Sequence, residues 1–319
     1  MSNERNKIID EVIRSMKESL NDDHQTPKLA LPLINSKSKF IRSTLVIRVS
    51  SLNKKVRTED IVQACSSIEL LHLASLIHDD IIDNASLRRD TPTINSRLGK
   101  DIALVTGDYV LIKSIHLAYN SNPVISESLI NTFLEICEGQ FNELKDQKNI
   151  NRTKKSYFRS IKGKTAVLFG QSLRIGGMLA KLPADQLEAL YNFGINFGII
   201  FQLLDDFLDY FSTEQKLNKP IFQDFREQNF TFPLISLDKN TKKIILKTKS
   251  RKKILQILID NQAIKKTIDQ INLYKIKATN DLKSYPNLSF LDNFANQYIK
   301  KQINAKINLK YKSSYLQRL

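Results

Sequence analysis

Six aspartates carry the chemistry that is easiest to read in this chain. They stand in two Asp-Asp-x-x-Asp motifs, Asp79, Asp80 and Asp83 in HDDIID and Asp205, Asp206 and Asp209 in LLDDFLD. On a helix, residues four apart share a face about 6 Å apart along the axis, so Asp79 with Asp83 and Asp205 with Asp209 present carboxylates side by side. Neither window holds a lysine to neutralise them, and the runs before them, LLHLASLI and FGIIFQLL, read as core. Burying acids is costly unless something cationic pairs with them. Hard oxygen ligands that leave room for water and a phosphate suit magnesium. Both motifs therefore read as magnesium clamps for a diphosphate. One such motif alone reads more simply as a solvated acidic turn; two copies with apolar flanks argue against that.

Basic and polar residues stand at positions suited to the phosphates. Arg88 and Arg89 follow the first motif, where guanidinium forks can take phosphate oxygens bidentately. Lys39 and Arg42 are three apart on an expected helix, and His72 lies seven residues before Asp79, on roughly the same helix face. Lys164 precedes Thr165 at a helix start, and Lys219 falls ten residues after Asp209. Taken singly, each cation reads more readily as a solvated surface group, and His72 as a satisfied core residue. Their joint placement around two acidic clamps is what points to a site.

The elements that must position these groups are helices. The chain has 319 residues, 41% of them hydrophobic, enough to bury a substantial core, but only nine glycines and eight prolines. Apolar residues recur at i, i+3, i+4 and i+7, and hairpin signals are not evident, so the expected class is all-α. An amphipathic helix and polar link occupy residues 1 to 30, and residues 37 to 52 begin the next helix. A long helix over 58 to 83 ends in the first motif. After a loop at 84 to 100, helical runs cover about 101 to 120 and 124 to 146. The basic stretch NRTKKSYFRSIKGK leads into a helix from Thr165 to Leu182, and another over about 184 to 211 carries the second motif. The two acidic helices look like pseudo-equivalent halves of one bundle.

The N-terminus lacks the apolar core of a secretory signal, and eighteen consecutive apolar residues occur nowhere, so a soluble, cytoplasmic protein is expected. Cys65 and Cys137 are isolated, which fits a reducing compartment better than a disulfide. Net charge is +16, with lysine spread through a chain rich in Lys, Asn and Ile. The densest block, Lys239 to Lys253, holds eight basic residues and no acid but lacks the interleaved aromatics of a single-strand binder. It reads first as a solvated face, with weak attraction to an anionic membrane surface as the remainder. A nucleic-acid partner is not expected, since the clustered aspartates would repel a phosphate backbone.

At this point the residues carry a resemblance. The chain resembles the trans-polyprenyl diphosphate synthase family, with LLHLASLIHDDIIDNASLRRDTPT close to that family's first aspartate-rich signature. The likeness continues in order through GDYVL at 107 to 111, EGQ at 138 to 140, KTAVLF at 164 to 169 and FQLLDDFLDY with NKPIFQDF, covering roughly residues 30 to 240. It implies one domain over residues 1 to 319, an all-helical, isoprenoid-synthase-type bundle around a deep central cavity, functioning as a homodimer. It also implies that Asp79 and Asp83 bind two magnesium ions, and Asp205, with Asp209 in support, a third. Arg88, Lys164 and Lys219 would then hold the allylic diphosphate, and Lys39, Arg42, His72 and Arg89 isopentenyl diphosphate. Thr165 and Gln202 would stabilise the allylic cation. Small residues at Ala74 and Ser75, about 6 to 8 Å down the helix from Asp79, imply a medium to long product of octaprenyl type, such as a quinone side chain.

Departures from the family pattern concentrate in glycines. Lys37 and Ser38 replace a Gly-Gly pair, Asp90 the glycine after the arginines, Asn218 and Phe222 two more, and Gln228 with Asn229 a Gly-Lys. An active synthase and a catalytically weakened regulatory subunit or paralogue both remain open; retention of the acids with Arg88, Arg89, Lys164 and Lys219 favours the enzyme. A terpene cyclase would not need the second cation set at Lys39, Arg42 and His72.

Overall fold

The computed structural model describes residues 2–34, 38–217 and 221–307. Twelve longer helices carry the architecture of the described residues: α1 (Ser2–Leu20), α2 (Ile41–Ser50), α3 (Thr58–Ile82), α4 (Lys100–Ser121), α5 (Pro123–Lys145), α6 (Lys154–Ile161), α7 (Val167–Leu179), α8 (Ala184–Phe211), α9 (Lys239–Lys247), α10 (Arg251–Asp260), α11 (Ala263–Leu282) and α12 (Phe290–Lys306). The all-α class expected from periodicity is what the chain adopts. Hydroxyl and carboxylate caps start several helices: the Thr153 side chain accepts from the Ser156 amide at α6, and Asp238 accepts from Asn240 and Thr241 at α9.

One exception among the described residues is a short antiparallel ribbon pairing Leu87–Arg88 with Thr91–Pro92, where no hairpin was expected. Its turn residues Arg89 and Asp90 have φ of +52° and +67°. Left-handed backbone at both central positions matches the twist of a two-residue hairpin, usually signalled by Asn-Gly or Asp-Gly. Here Arg-Asp occupies the turn, which is why the pattern gave no warning.

Two compact units are present, Met1–Leu134 with Gln171–Tyr191, and Glu135–Gly170 with Asn192–Leu319. In the first, α3 is the central helix, packed by α1, α2 and α4. Its burial on most sides explains why it reads as near-continuous apolar sequence rather than as one stripe. A Cβ on Gly107 of α4 would lie 2.4 Å from His78 Nε2 of α3, so glycine leaves room there for the His78 ring. In the second unit, Phe169, Phe193, Phe197 and Phe201 form a connected aromatic core with Phe294 and Tyr298.

The helix expected from Thr165 begins instead as a π-helical turn, Lys162–Ala166, inserted between α6 and α7. Gly139 of α5 lies against it: a Cβ there would stand 2.1 Å from the Lys164 amide nitrogen. Helices α3, α4 and α8 are long and apolar enough, by length and composition, to cross a membrane, although no run of eighteen wholly apolar residues occurs; in α3 and α8 most of the apolar window is buried, in α4 a third of it. Cys65 is buried, Cys137 exposed, and both are free thiols.

Candidate active site

The first unit gathers one set of the expected residues around the C-terminal end of α3. Asp79 is half-buried and Asp83, the residue that caps the helix, is exposed; the Asp83 amide donates to the Asp79 carbonyl at 2.8 Å, one helical turn away. Asp80 points into the protein, 2% exposed, and takes the Arg88 fork on both oxygens, with Nε at 2.9 Å from each and Nη2 at 2.6 Å from Oδ1. Arg88 is thus an internal brace for the ribbon as well as a candidate phosphate group. Burial opposes its charge, but Asp80, Asp79 and Asp83 more than offset that and hold it firmly protonated.

Two further guanidinium groups, Arg42 and Arg89, act with Arg88 on His72 in this unit. Burial drives the His72 imidazole well below its ordinary value, and Arg42, Arg89 and Arg88 push it in the same direction. His72 is therefore neutral, with three guanidinium groups near enough to be felt. Arg89 also bonds Ser38 Oγ. Lys39 is exposed just before α2. Glu69, which the sequence reading passed over, anchors α2 through Ser43, whose Oγ and backbone N–H donate to Oε1 at 2.7 and 3.2 Å.

The second unit carries the other set. Thr165 Oγ1 donates to Gln202 Oε1 at 2.9 Å, Gln202 Nε2 donates to Asp206 Oδ1 at 2.8 Å, and Tyr157 Oη donates to Asp206 Oδ2 at 2.5 Å. This chain fixes the orientation of the Gln202 amide. Burial raises the Asp206 carboxyl to about 7, with Asp205 and Glu143 adding to the rise and the two hydrogen bonds opposing it. Lys164 Nζ contacts Glu143 Oε2 at 2.5 Å. Burial alone would push the Glu143 carboxyl up, but Lys164, Arg152 and Asn229 together hold it below the ordinary carboxylate value. Asn229, where the family resemblance places a lysine, lies between Glu143 Oε1 at 3.4 Å and the buried Arg152, whose Nη1 donates to Asn229 Oδ1 at 3.1 Å.

Asp205 is half-buried, whereas Asp209 is 5% exposed and accepts from the amides of Gln223 and Asp224 at 3.2 and 3.3 Å, fastening the loop after α8. Lys219 lies outside the described residues. Glu143, Arg152 and Tyr157 gave no sign in the sequence because their partners stand 21, 77 and 49 residues away.

Among the described residues no three acidic, histidine or cysteine side chains cluster closely enough to cage a metal. The donors present, carboxylates in ones and twos, fit a hard divalent ion that one or two carboxylates hold and that phosphate oxygens and water complete.

Residues 25–271 match the polyprenyl synthetase family. The chain belongs to that family. Heptaprenyl diphosphate synthase component 2 of Bacillus subtilis (strain 168) is 33% identical over 237 residues, covering 74% of this chain and 68% of that protein. Geranylgeranyl diphosphate synthase of Saccharolobus solfataricus is 32% identical over 273 residues, covering 82% and 79%. The crystal structure of a polyprenyl synthase from Caulobacter crescentus CB15, complexed with calcium and isoprenyl diphosphate, superposes with a TM-score of 0.84 at 25% identity, covering 93% of this chain and 95% of that one. As a polyprenyl synthetase, the protein is an all-α transferase of prenyl groups, and both acidic motifs and all the candidate side chains named above fall inside the matched span.

Proposed function

We propose that the protein is a magnesium-dependent trans-prenyl diphosphate synthase that adds isopentenyl diphosphate to an allylic diphosphate and releases a medium to long polyprenyl diphosphate, such as a quinone side-chain precursor. The observation that carries this reading is the second set of polar groups in the first unit. Arg42, Arg88 and Arg89 all act on the neutral His72, which lies on the helix that ends in Asp79 and Asp83. A single-substrate diphosphate enzyme would need the acids and not this second set.

In this reading Arg88 and Lys164, with Lys219, hold the allylic diphosphate, and Lys39, Arg42, His72 and Arg89 that of isopentenyl diphosphate. Asp79, Asp83 and Asp205 would hold the magnesium, three ions by the family resemblance, with Asp209 fixing the adjacent loop; the metal would supply positive charge that favours departure of the diphosphate. Lys164 must share its charge between Glu143 and the substrate. The Gln202 oxygen and the Thr165 hydroxyl offer negative partial charge to the allylic carbon as its C–O bond breaks. The double bond of isopentenyl diphosphate then attacks that carbon, and the proton lost in forming the new double bond goes to the released diphosphate. No enzyme nucleophile is required.

Product length in this reading is set near Ala74, fully buried, and Ser75, half-buried, the small residues on the core side of Asp79. Replacing Ala74 with Phe shortens the products, and an unchanged ladder would remove this position from length control. Free thiols at Cys65 and Cys137 accord with a cytoplasmic location. The deciding experiment incubates the purified chain with magnesium, farnesyl diphosphate and labelled isopentenyl diphosphate, then chromatographs the dephosphorylated products. A ladder ending at a defined prenol supports the proposal; no elongation, with geranyl and geranylgeranyl primers also tried and the fold intact, overturns it. A second reading, a subunit that works with a different partner chain, draws on the Bacillus subtilis relative being named component 2.

A further inference from the structure

The basic block at Lys239 to Lys253 has no part in the chemistry above, yet it is built as more than a solvated stretch. On α9 Lys239, Lys243 and Lys247 fall at intervals of four and all are exposed, forming one stripe along the outer face. Ile244 and Leu246 flank that stripe at 57% and 45% exposure, while Ile245 alone is buried beneath it. Lysines interleaved with exposed aliphatic side chains are poorly explained by solubility, which needs only the lysines.

The start of α10 adds a second oddity. Its first turn holds Arg251, Lys252 and Lys253 and no acid. A helix N-terminus carries partial positive charge, so three cations there oppose the helix dipole unless an anion is present. Beside the two helices lies a recess of about 410 Å³, floored by the buried Phe222 and Ile254, edged by Phe225 and the exposed Leu246, and rimmed by Arg226, Lys249 and Arg251. Its remaining lining residues, Gln228 and Thr248, are neutral, so the recess has an apolar floor, a cationic rim and no acid. The Arg251 guanidinium lies over the Phe222 ring at 5.7 Å, which holds that rim charge at the mouth.

We propose that α9 and the first turn of α10 dock this protein on an anionic phospholipid bilayer, the lysine stripe meeting the headgroup phosphates while Leu246 and Ile244 enter the headgroup boundary. Charge complementarity identifies the partner: α9 and the first turn of α10 hold no acid, Asp238 before them is engaged in capping α9, Glu214 shares a recess with Arg251 and Lys252, and the cationic excess with its apolar element suits an amphiphile, not a free anion. A nucleic acid would call for exposed rings to stack on bases, and in Lys239–Lys253 there is no aromatic residue. The inference does not depend on the catalytic reading.

The chain contains no tryptophan, so Leu246→Trp gives a unique reporter. Vesicles of phosphatidylcholine with and without phosphatidylglycerol are titrated into the full chain, following sedimentation and, for L246W, emission wavelength. Binding that requires phosphatidylglycerol, with a blue shift for L246W, is expected. Joint replacement of Lys239, Lys243 and Lys247 by Gln should weaken binding by roughly a hundredfold, since each lysine near such a surface is worth about a fivefold change. The charge-matched control replaces Lys265, Lys300 and Lys301, all exposed on α11 and α12, and should leave binding within about threefold of the parent. Equal loss in both triple variants would reduce the effect to net charge and overturn the proposal. An unshifted L246W spectrum on bound vesicles, or tighter binding to single-stranded RNA than to vesicles with the same blue shift, would overturn it too.

Discussion

Asp90, Phe222 and Gln228 stand where the family resemblance places glycine, and each keeps the conformation glycine suits, with φ of +67°, +66° and +57°. The backbone geometry has survived the loss of the residue that makes it inexpensive, because the rest of each loop still demands it. The Gln228 carbonyl accepts from the Lys148 amide at 2.9 Å, and the Phe222 amide donates to the Asp209 carbonyl at 2.9 Å. A left-handed L-residue costs about 1 to 2 kcal/mol, less for Asp. Restoring glycine at the exposed Gln228 should therefore raise stability by about 1 kcal/mol and Tm by roughly 1 to 2 °C. A lower Tm in thermal unfolding would mean that the Gln228 side chain contributes more than its backbone costs. Phe222 is a poorer test, since its ring is buried and glycine there would leave a void. At the acids the expectation concerns rate rather than stability. Asp79 is half-buried at a helix end, so Asp79→Ala should leave the circular dichroism spectrum intact while turnover falls by at least about a hundredfold. Near-normal turnover would take the first motif out of the mechanism. The placement of the outer aspartates on one helix face was legible because i, i+4 spacing is local, but the partners of the inner ones were not. Asp80 and Asp206 look identical to their neighbours in sequence, and only the fold assigns them Arg88 and Tyr157 as partners.

The helices themselves were nearly all readable, since their signal is a repeating pattern within one segment. The expected spans 58 to 83, 101 to 120, 124 to 146 and 184 to 211 stand as Thr58–Ile82, Lys100–Ser121, Pro123–Lys145 and Ala184–Phe211. The π-turn at Lys162–Ala166 was not readable, because its cause is tertiary. Gly139 and Gly163 bring two backbones together, and a Cβ on Gly163 would stand 2.7 Å from the Gly139 Cα. Such turns widen a helix by one residue and recur at functional sites; here the turn carries Lys164 and Thr165. Gly139→Ala must push it away, since its Cβ would overlap the Lys164 amide. Overpacking of this kind costs about 1 to 3 kcal/mol, and a displacement of about 1 Å at a reacting group costs on the order of a hundredfold in rate. Turnover measured well below the melting transition should thus fall far more than the folded fraction does. Loss of activity strictly in proportion to loss of folded protein would show that the position of the turn does not matter.

For the whole molecule the open matter is what covers α4. Ile102, Val105, Ile112 and Tyr119 are 43%, 58%, 65% and 60% exposed. Spacings of three, seven and seven put them on one side of the helix. On α5 Leu134 and Phe141, also seven apart, are 60% and 61% exposed. An exposed apolar stripe such as that on α4 marks an interaction surface in a protein that is otherwise strongly charged. Scattered lysines do not mask it, as a net charge of +16 resists non-specific association but not a specific apolar contact. A self-complementary face would pair two copies of this chain about a twofold axis. A self-pairing face and a face for a different subunit then predict different outcomes of one substitution. Light scattering of the purified chain should give twice the mass of 36.7 kDa, and Ile112→Glu, which puts a charge at the most exposed point of the face, should return it to a monomer with its helicity unchanged. If the parent chain is already monomeric and inactive alone, the face belongs to a different subunit, and Ile112→Glu should instead abolish rescue of activity when that subunit is supplied.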